Sequence, residues 1–332
     1  MAITCRQAGA VLARASLALA ILVGASACER AASPDASFEL AAQGLYTGAI
    51  SGEGEMAVVG SMNHGASLWR TSDRERMFNW AHQPGEYAEL VAAAFSPDGS
   101  VAVTTDPRTL VLWDTATGAA KNFWTTPGAV LDVALLSDNR RLLIGLDDHS
   151  AILFDGESGD YANTLLHQGE VGSVAVNDEG TLALTGSDDF TAVLWSLPAG
   201  EPLQTYRHGS TVRAVALSPS GKYAFTAAKG DLVAIWNNET GTMLHELHNK
   251  LSHGARVAAF SADEHLLAVG YANRRVALYD VATGARRKLW DPGTRHTMRA
   301  TGAAIMRIAF TAQAGKLLAL TGDGRLLEFR LS

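Results

Sequence analysis

The chain of 332 residues carries 27 basic and 34 acidic side chains, a formal charge of −7, with no basic stripe of the kind that tracks nucleic acid. Its 32 glycines and 18% charged residues suit many short strands joined by tight turns, because glycine supplies the positive φ that turns need. Two cysteines, Cys5 and Cys28, both near the N-terminus, exclude a disulfide framework and a Cys/His zinc site in the body.

The first element is an address. Arg6 and Arg14 flank or precede an apolar, small-residue run of 13 at residues 15–27, and no acidic residue occurs before Glu29. A run this short falls below the roughly 20 residues that span a bilayer as a helix. It fits a signal peptide over residues 1–27. The run ends Val23-Gly24-Ala25-Ser26-Ala27-Cys28. This resembles a bacterial lipobox, in which small residues precede an acylated cysteine. Ala25 departs from the leucine usual there, and plain secretory cleavage after Ala27 is the alternative. The resemblance implies lipidation at Cys28, with each buried CH₂ contributing about 0.8 kcal/mol of membrane binding. It also implies a periplasm-facing protein of the bacterial envelope that touches the membrane through its lipid only. Glu29 stands where an aspartate would resemble an inner-membrane retention signal, which favours the outer membrane. Residues 28–36, small and polar with one proline, read as a lipidated, flexible tether.

From residue 37 to 332 the chain repeats. An aromatic side chain closes an apolar strand at Trp69, Trp113, Phe154, Trp195, Trp236, Tyr279 and Phe329, at intervals of 44, 41, 41, 41, 43 and 50. Periods of 40–45 are those of four-stranded propeller blades. Seven turns keep the phase, among them Ser51-Gly-Glu-Gly54, Ser96-Pro-Asp-Gly99, Ser137-Asp-Asn-Arg140 and Thr311-Ala-Gln-Ala314. A second turn follows the aromatic at Asp114-Thr-Ala-Thr-Gly118, Asp155-Gly-Glu-Ser-Gly159, Asn237-Asn-Glu-Thr-Gly241 and Asp280-Val-Ala-Thr-Gly284. The runs between them are nearly continuously apolar, as strands buried between blades require.

The pattern of His, Ser-Pro-Asp-Gly, Asp and Trp-Asp is similar to the WD-repeat family, in degenerate form, over nearly the whole mature chain. It implies an all-β, seven-bladed β-propeller of four-stranded antiparallel blades. The last repeat supplies three strands, at residues 304–311, 316–321 and 325–331, and the chain then stops. The missing outer strand is expected from Phe38-Glu-Leu40, so that an N-terminal strand closes the ring.

His167, Thr185, Asp189 and Trp195 could be taken for a catalytic relay. In WD repeats these positions resemble a structural tetrad, in which the turn aspartate holds the histidine and a hydroxyl and the indole complete the network. By this reading only the fourth repeat is complete. The fifth keeps His208, Thr226 and Trp236 but has Gly230, while Asn63 and Asn273 stand in the first and sixth. Asp147-Asp148-His149 and Asp188-Asp189 match no metal-loop spacing and read as turns. Trp80, Trp124 and Trp290 lie towards the outer strands and are expected to be partly exposed.

Neither a metal nor a cofactor is expected. The candidate partner-binding rim takes residues five before each first turn and beside each second-to-third-strand turn. It includes Tyr46, Asp132, Asp147, Asp188, Arg213, Lys229 and Arg256, acidic on blades 3 and 4 and basic on blades 5 and 6. The expectation is a monomeric, non-catalytic scaffold for a protein or peptide, with no nucleic-acid partner. A propeller enzyme, lactonase-like, with a central-channel site is the alternative. The small apolar innermost runs, such as Val133-Ala-Leu-Leu136 and Val174-Ala-Val176, argue against it.

Overall fold

The computed structural model describes residues 31–42, 44–61, 65–82, 89–230, 232–247, 254–293, 304–311 and 315–331. The signal segment, Cys28, Asn63 and residues 312–314 of the last repeat's turn lie outside them. Residues 31–332 form one compact unit. Among its described residues, 28 strands build seven four-stranded antiparallel sheets, each ordered from an innermost strand outwards. The innermost strands are Leu45–Ile50, Ala92–Phe95, Val130–Leu135, Val171–Val176, Val212–Leu217, Ala255–Phe260 and Ile305–Phe310, for blades 1 to 7. Each lies beside the next, and the seventh lies beside the first. The sheets therefore close into a ring, a seven-bladed β-propeller.

Closure is made by the N-terminus. Ala36–Glu39 pairs antiparallel with Arg325–Arg330, with Ala36 opposite Glu328 and Glu39 opposite Arg325. It is the outer strand of blade 7 and leaves that edge paired. The Arg74 guanidinium of blade 1 sits 3.5 Å over the Phe38 ring and ties the seam from the other side. Order starts before the expected tether ends. The Ala32 N–H donates to the Leu289 carbonyl at 2.9 Å, and the Asp291 N–H donates to the Ala32 carbonyl at 2.8 Å. The Asp35 carboxylate accepts the Arg330 N–H at 2.7 Å. Residues 31–36 are thus not a free tether, because blades 6 and 7 take up their backbone groups.

Neighbouring blades are joined by aromatic contacts. Trp80 stacks on Trp113 at 4.9 Å, Tyr206 on Trp236 at 4.6 Å, Trp124 meets Phe154 at 5.9 Å, and Trp290 meets Phe329 at 5.0 Å. In each pair an outer strand turns its ring onto the third strand of the following blade. This is why Trp80 and Trp290, expected to be partly exposed, are 2% and 1% exposed, while Trp124 is half-buried. Such pairs add about 0.5–1.5 kcal/mol beyond the area they bury. The packing also fixes turn glycines. Gly118 has φ +73, and a Cβ there would lie 2.5 Å from the Phe78 ring.

Nearest the axis one position is alanine in every blade: Ala49, Ala94, Ala134, Ala175, Ala216, Ala259 and Ala309. The ladder register places them opposite Val58, Val103, Leu143, Leu184, Phe225, Ala268 and Leu318. Ala134 packs against the apolar cluster that includes Val174 of the next blade, and Ala175 against the one that includes Val215.

Candidate functional site

In six blades the innermost strand carries a bulge near its start, between Leu45 and Thr47, Val130 and Asp132, Val171 and Ser173, Val212 and Ala214, Ala255 and Val257, and Ile305 and Arg307. An extra residue without a partner turns its side chain out of the ladder. The residues so turned are Tyr46, Leu131, Gly172, Arg213, Arg256 and Met306. Tyr46 is 38% exposed, and Arg213 and Arg256 are exposed. At the same end of the blades lie the second-to-third-strand turns. There Asp147 and Asp188 are half-buried and Lys229 is exposed. The Asp147 carboxylate accepts the Ala129 N–H at 2.6 Å. Tyr46, Asp147, Asp188, Arg213, Lys229 and Arg256 therefore share one rim.

Asp132 does not share it. The first turn of blade 3 starts at Leu136, whose N–H donates to the Arg141 carbonyl, one residue before the expected Ser137. Leu131 thus takes the bulge, and Asp132 falls in register with Thr47, Ser173 and Arg307. Its carboxylate accepts the Val174 N–H at 3.0 Å. Arg307 of blade 7 reaches it from the far side of the ring, 3.4 Å from Nη2 to Oδ1. Burial pushes the Asp132 carboxyl above its ordinary value, against the pull of Arg307. Ser173, in the neighbouring blade, links blades in the same way by accepting the Val215 N–H at 3.1 Å. At this level of the central channel four blades place a polar side chain, Thr47, Asp132, Ser173 and Arg307, the other three carry Ala92, Ala214 and Val257, and one ion pair spans it.

His167, Thr185, Asp189 and Trp195 come together in blade 4. His167 Nδ1 lies 2.9 Å from the Asp189 carboxylate, and Nε2 lies 2.7 Å from the Thr185 hydroxyl. The Trp195 indole N–H donates to the same hydroxyl at 2.8 Å. Burial raises the Asp189 carboxyl, but bonds from Thr191, the Gln168 N–H and His167 outweigh it and hold the group below its ordinary value. An ionised carboxylate only accepts, so Nδ1 carries a proton and donates it to Asp189. With His167 and Thr185 buried, every group of this network is engaged inside the blade.

Blade 2 carries a second complete network that the repeat spacing hides. His82 Nε2 lies 2.9 Å from the Thr104 hydroxyl, which accepts the Trp113 N–H at 2.8 Å. His82 Nδ1 lies 2.9 Å from the Thr109 hydroxyl, which donates to Asp106 at 2.5 Å. The turn holding Asp106 is shorter, so this aspartate follows its threonine by two positions instead of four. Burial lowers the His82 ring pKa, with Asp106 opposing. The other blades substitute. Blade 5 retains the Trp236 to Thr226 bond at 2.7 Å, blade 6 joins the Tyr271 and Tyr279 hydroxyls at 2.9 Å, and blade 7 buries Arg325 against Asp323. Among the described residues no cluster of three or more His, Cys, Asp or Glu forms a metal site.

A closed ring of repeated four-stranded blades, pinned from within, is the architecture of a repeat propeller. A family profile described as outer membrane protein assembly factor BamB matches residues 54–190. A second, described as WD domain, G-beta repeat, matches residues 200–237, which run from the outer strand of blade 4 through three strands of blade 5. No curated protein matches the chain. Ring and profiles together make it a WD-repeat-like β-propeller.

Proposed function

We propose that this protein is a non-catalytic interaction scaffold on the periplasmic side of a bacterial envelope, held there by acylation at Cys28. The domain plan is a signal peptide over residues 1–27, a short linker and a propeller that takes up the chain from residue 31. The observation that carries the binding reading is the rim. Arg213, Lys229 and Arg256 stand exposed on blades 5 and 6, beside Asp147 and Asp188 on blades 3 and 4. A face divided this way suits a protein or peptide with an acidic stretch next to a basic one. The profile whose printed description is an outer membrane protein assembly factor supports the envelope setting and favours the outer membrane.

Asp132 and the His167 network have structural roles in this reading, since both are satisfied by groups of the fold. The test is charge reversal at Arg213 and Arg256 together, followed by cross-linking in the intact envelope. Loss of partners captured by the parent is expected, and an unchanged set would overturn the rim as the binding face. Mass analysis of the N-terminal peptide tests the anchor. Acyl chains on Cys28 are expected, and a free thiol would overturn it.

A further inference from the structure

The place where the chain leaves the propeller for its N-terminus is also the most basic of the seven outer edges. The outer strand of blade 6, Arg286–Trp290, begins Arg286-Arg287-Lys288, while each of the other six outer strands holds at most one lysine or arginine. Ala32 is bonded to this strand at Leu289 and to Asp291 just beyond it. Further cations are fixed around the same point. Arg274 and Arg275 reach Asp291 at 3.4 and 3.1 Å. The Lys288 ammonium lies 2.9 Å from the carbonyl of Arg330, whose own N–H bonds Asp35. Arg287 pairs with Asp280 and keeps 57% of its side chain exposed. Along the outer edges of blades 6 and 7 six cations thus outnumber four carboxylates, Asp35, Glu39, Asp280 and Asp291, on a chain whose formal charge is −7. Lys316 and Glu328 beside them cancel, paired at 3.0 Å.

Cys28 is three residues before Ala31, a reach of about 11 Å at full extension. Whatever holds the N-terminus in a membrane therefore holds this edge within a short distance of the headgroups. Headgroup phosphates attract lysine and arginine over about 10 Å at moderate salt. We propose that the outer edge of blades 6 and 7 is a docking surface for anionic phospholipid headgroups. The ring then stands edge-on, and the rim faces along the membrane. The inference rests on the membrane-attached reading above.

Residues 31–332 contain every strand and the seam, so this ring can be tested without Cys28. Its co-sedimentation would be measured with vesicles of phosphatidylcholine alone and of phosphatidylcholine mixed with phosphatidylglycerol. Binding to the anionic vesicles only, weakened by salt, is expected. The triple variant Arg286→Glu, Arg287→Glu, Lys288→Glu should lose at least about tenfold in affinity. Reversal of Arg213 and Arg256 on the rim should leave it unchanged. If the triple variant melts early, Arg287→Gln with Arg330→Gln replaces it, with a smaller loss expected. Equal binding to both vesicle types, no binding, or a basic-edge variant that binds like the parent would overturn the proposal. None of these outcomes bears on acylation, which the mass of the N-terminal peptide decides.

Discussion

Replacing Thr185 by valine tests whether the His167 network is a structural pin. The side chain is 0% exposed, and valine keeps its shape while deleting the hydroxyl. Its contacts with the Trp195 N–H at 2.8 Å and His167 Nε2 at 2.7 Å go with it, as does the longer one to the Val193 carbonyl at 3.3 Å. Trp195 and His167 stay buried, and an unsatisfied buried polar group costs about 1–3 kcal/mol. The sum is about 2–6 kcal/mol. At about 1.6 °C per kcal/mol, from an unfolding entropy of about 2.1 cal/mol/K per residue over roughly 300 residues, melting should fall by about 6 °C at the middle of that range. Thr185→Ser keeps the hydroxyl and should recover most of the loss. Thermal unfolding followed by circular dichroism reads both variants. Thr104→Val, the counterpart in blade 2, should cost a similar amount, and the two should add, since they share no partner. A Thr185→Val variant within about 0.5 kcal/mol of the parent, or one matched by Thr185→Ser, would refute the pin.

Acidification should weaken the fold in two stages. His82, lowered by burial below its ordinary 6.5, stays neutral while the unfolded chain takes a proton, so its contribution is present above pH 6.5 and lost as pH falls below it. Asp106 and Asp189, where hydrogen bonds outweigh burial and hold the carboxyls below 3.8, add a second loss below that pH. Melting temperature against pH checks both stages, and His82→Gln should flatten the first. Arg307→Met strands the Asp132 carboxylate in the channel and should cost about 1–3 kcal/mol, more than Asp132→Asn with Arg307→Met together; denaturant midpoints of the single and double variants decide it. Gly118→Ala meets both a positive φ and the Phe78 ring and should cost about 1–3 kcal/mol by the same measurement. Deleting residues 31–39 should lower the melting temperature, because it bares the edge of Arg325–Arg330 and releases Phe38 from Arg74.

The blade count and the closing strand are legible because they rest on periodicity, and Trp69 to Phe329 keep that period through every change of side chain. What misleads is local offset. Blade 3 has a turn that starts one residue early, and a count from Ser137 therefore puts Asp132 on the rim instead of in the channel. The alanine column gives the correct register, since two residues before Ala134, Ala175 and Ala309 stand Asp132, Ser173 and Arg307. His82 escapes for a related reason, because its turn is shorter and moves Asp106 closer to Thr104. The burial of Trp80 and Trp290 depends on the following blade, and no pattern within one repeat carries it.

The substituted pins share one mechanical task. In blades 2 and 4 a histidine from the segment entering the blade is held against the turn aspartate. In blade 7 Arg325 binds Asp323 in the turn and donates to the Gly293 carbonyl in the entering segment. In blade 6 the direction reverses, and Asp291 of the segment leaving the blade takes Arg274 and Arg275 of the turn. Each arrangement ties a connection between blades to a second-to-third-strand turn, and in blade 4 that turn carries the rim residue Asp188. Asp188 immediately precedes the pinned Asp189, so the stiffness of blade 4's network is passed directly to the face proposed to bind. A partner engaging that face meets preset side chains and loses less freedom in ordering them. Loosening the pin through Thr185→Val should then weaken partner capture even though Thr185 is buried and cannot touch the partner, whereas Gly118→Ala, in a turn at the other end of a blade, should not.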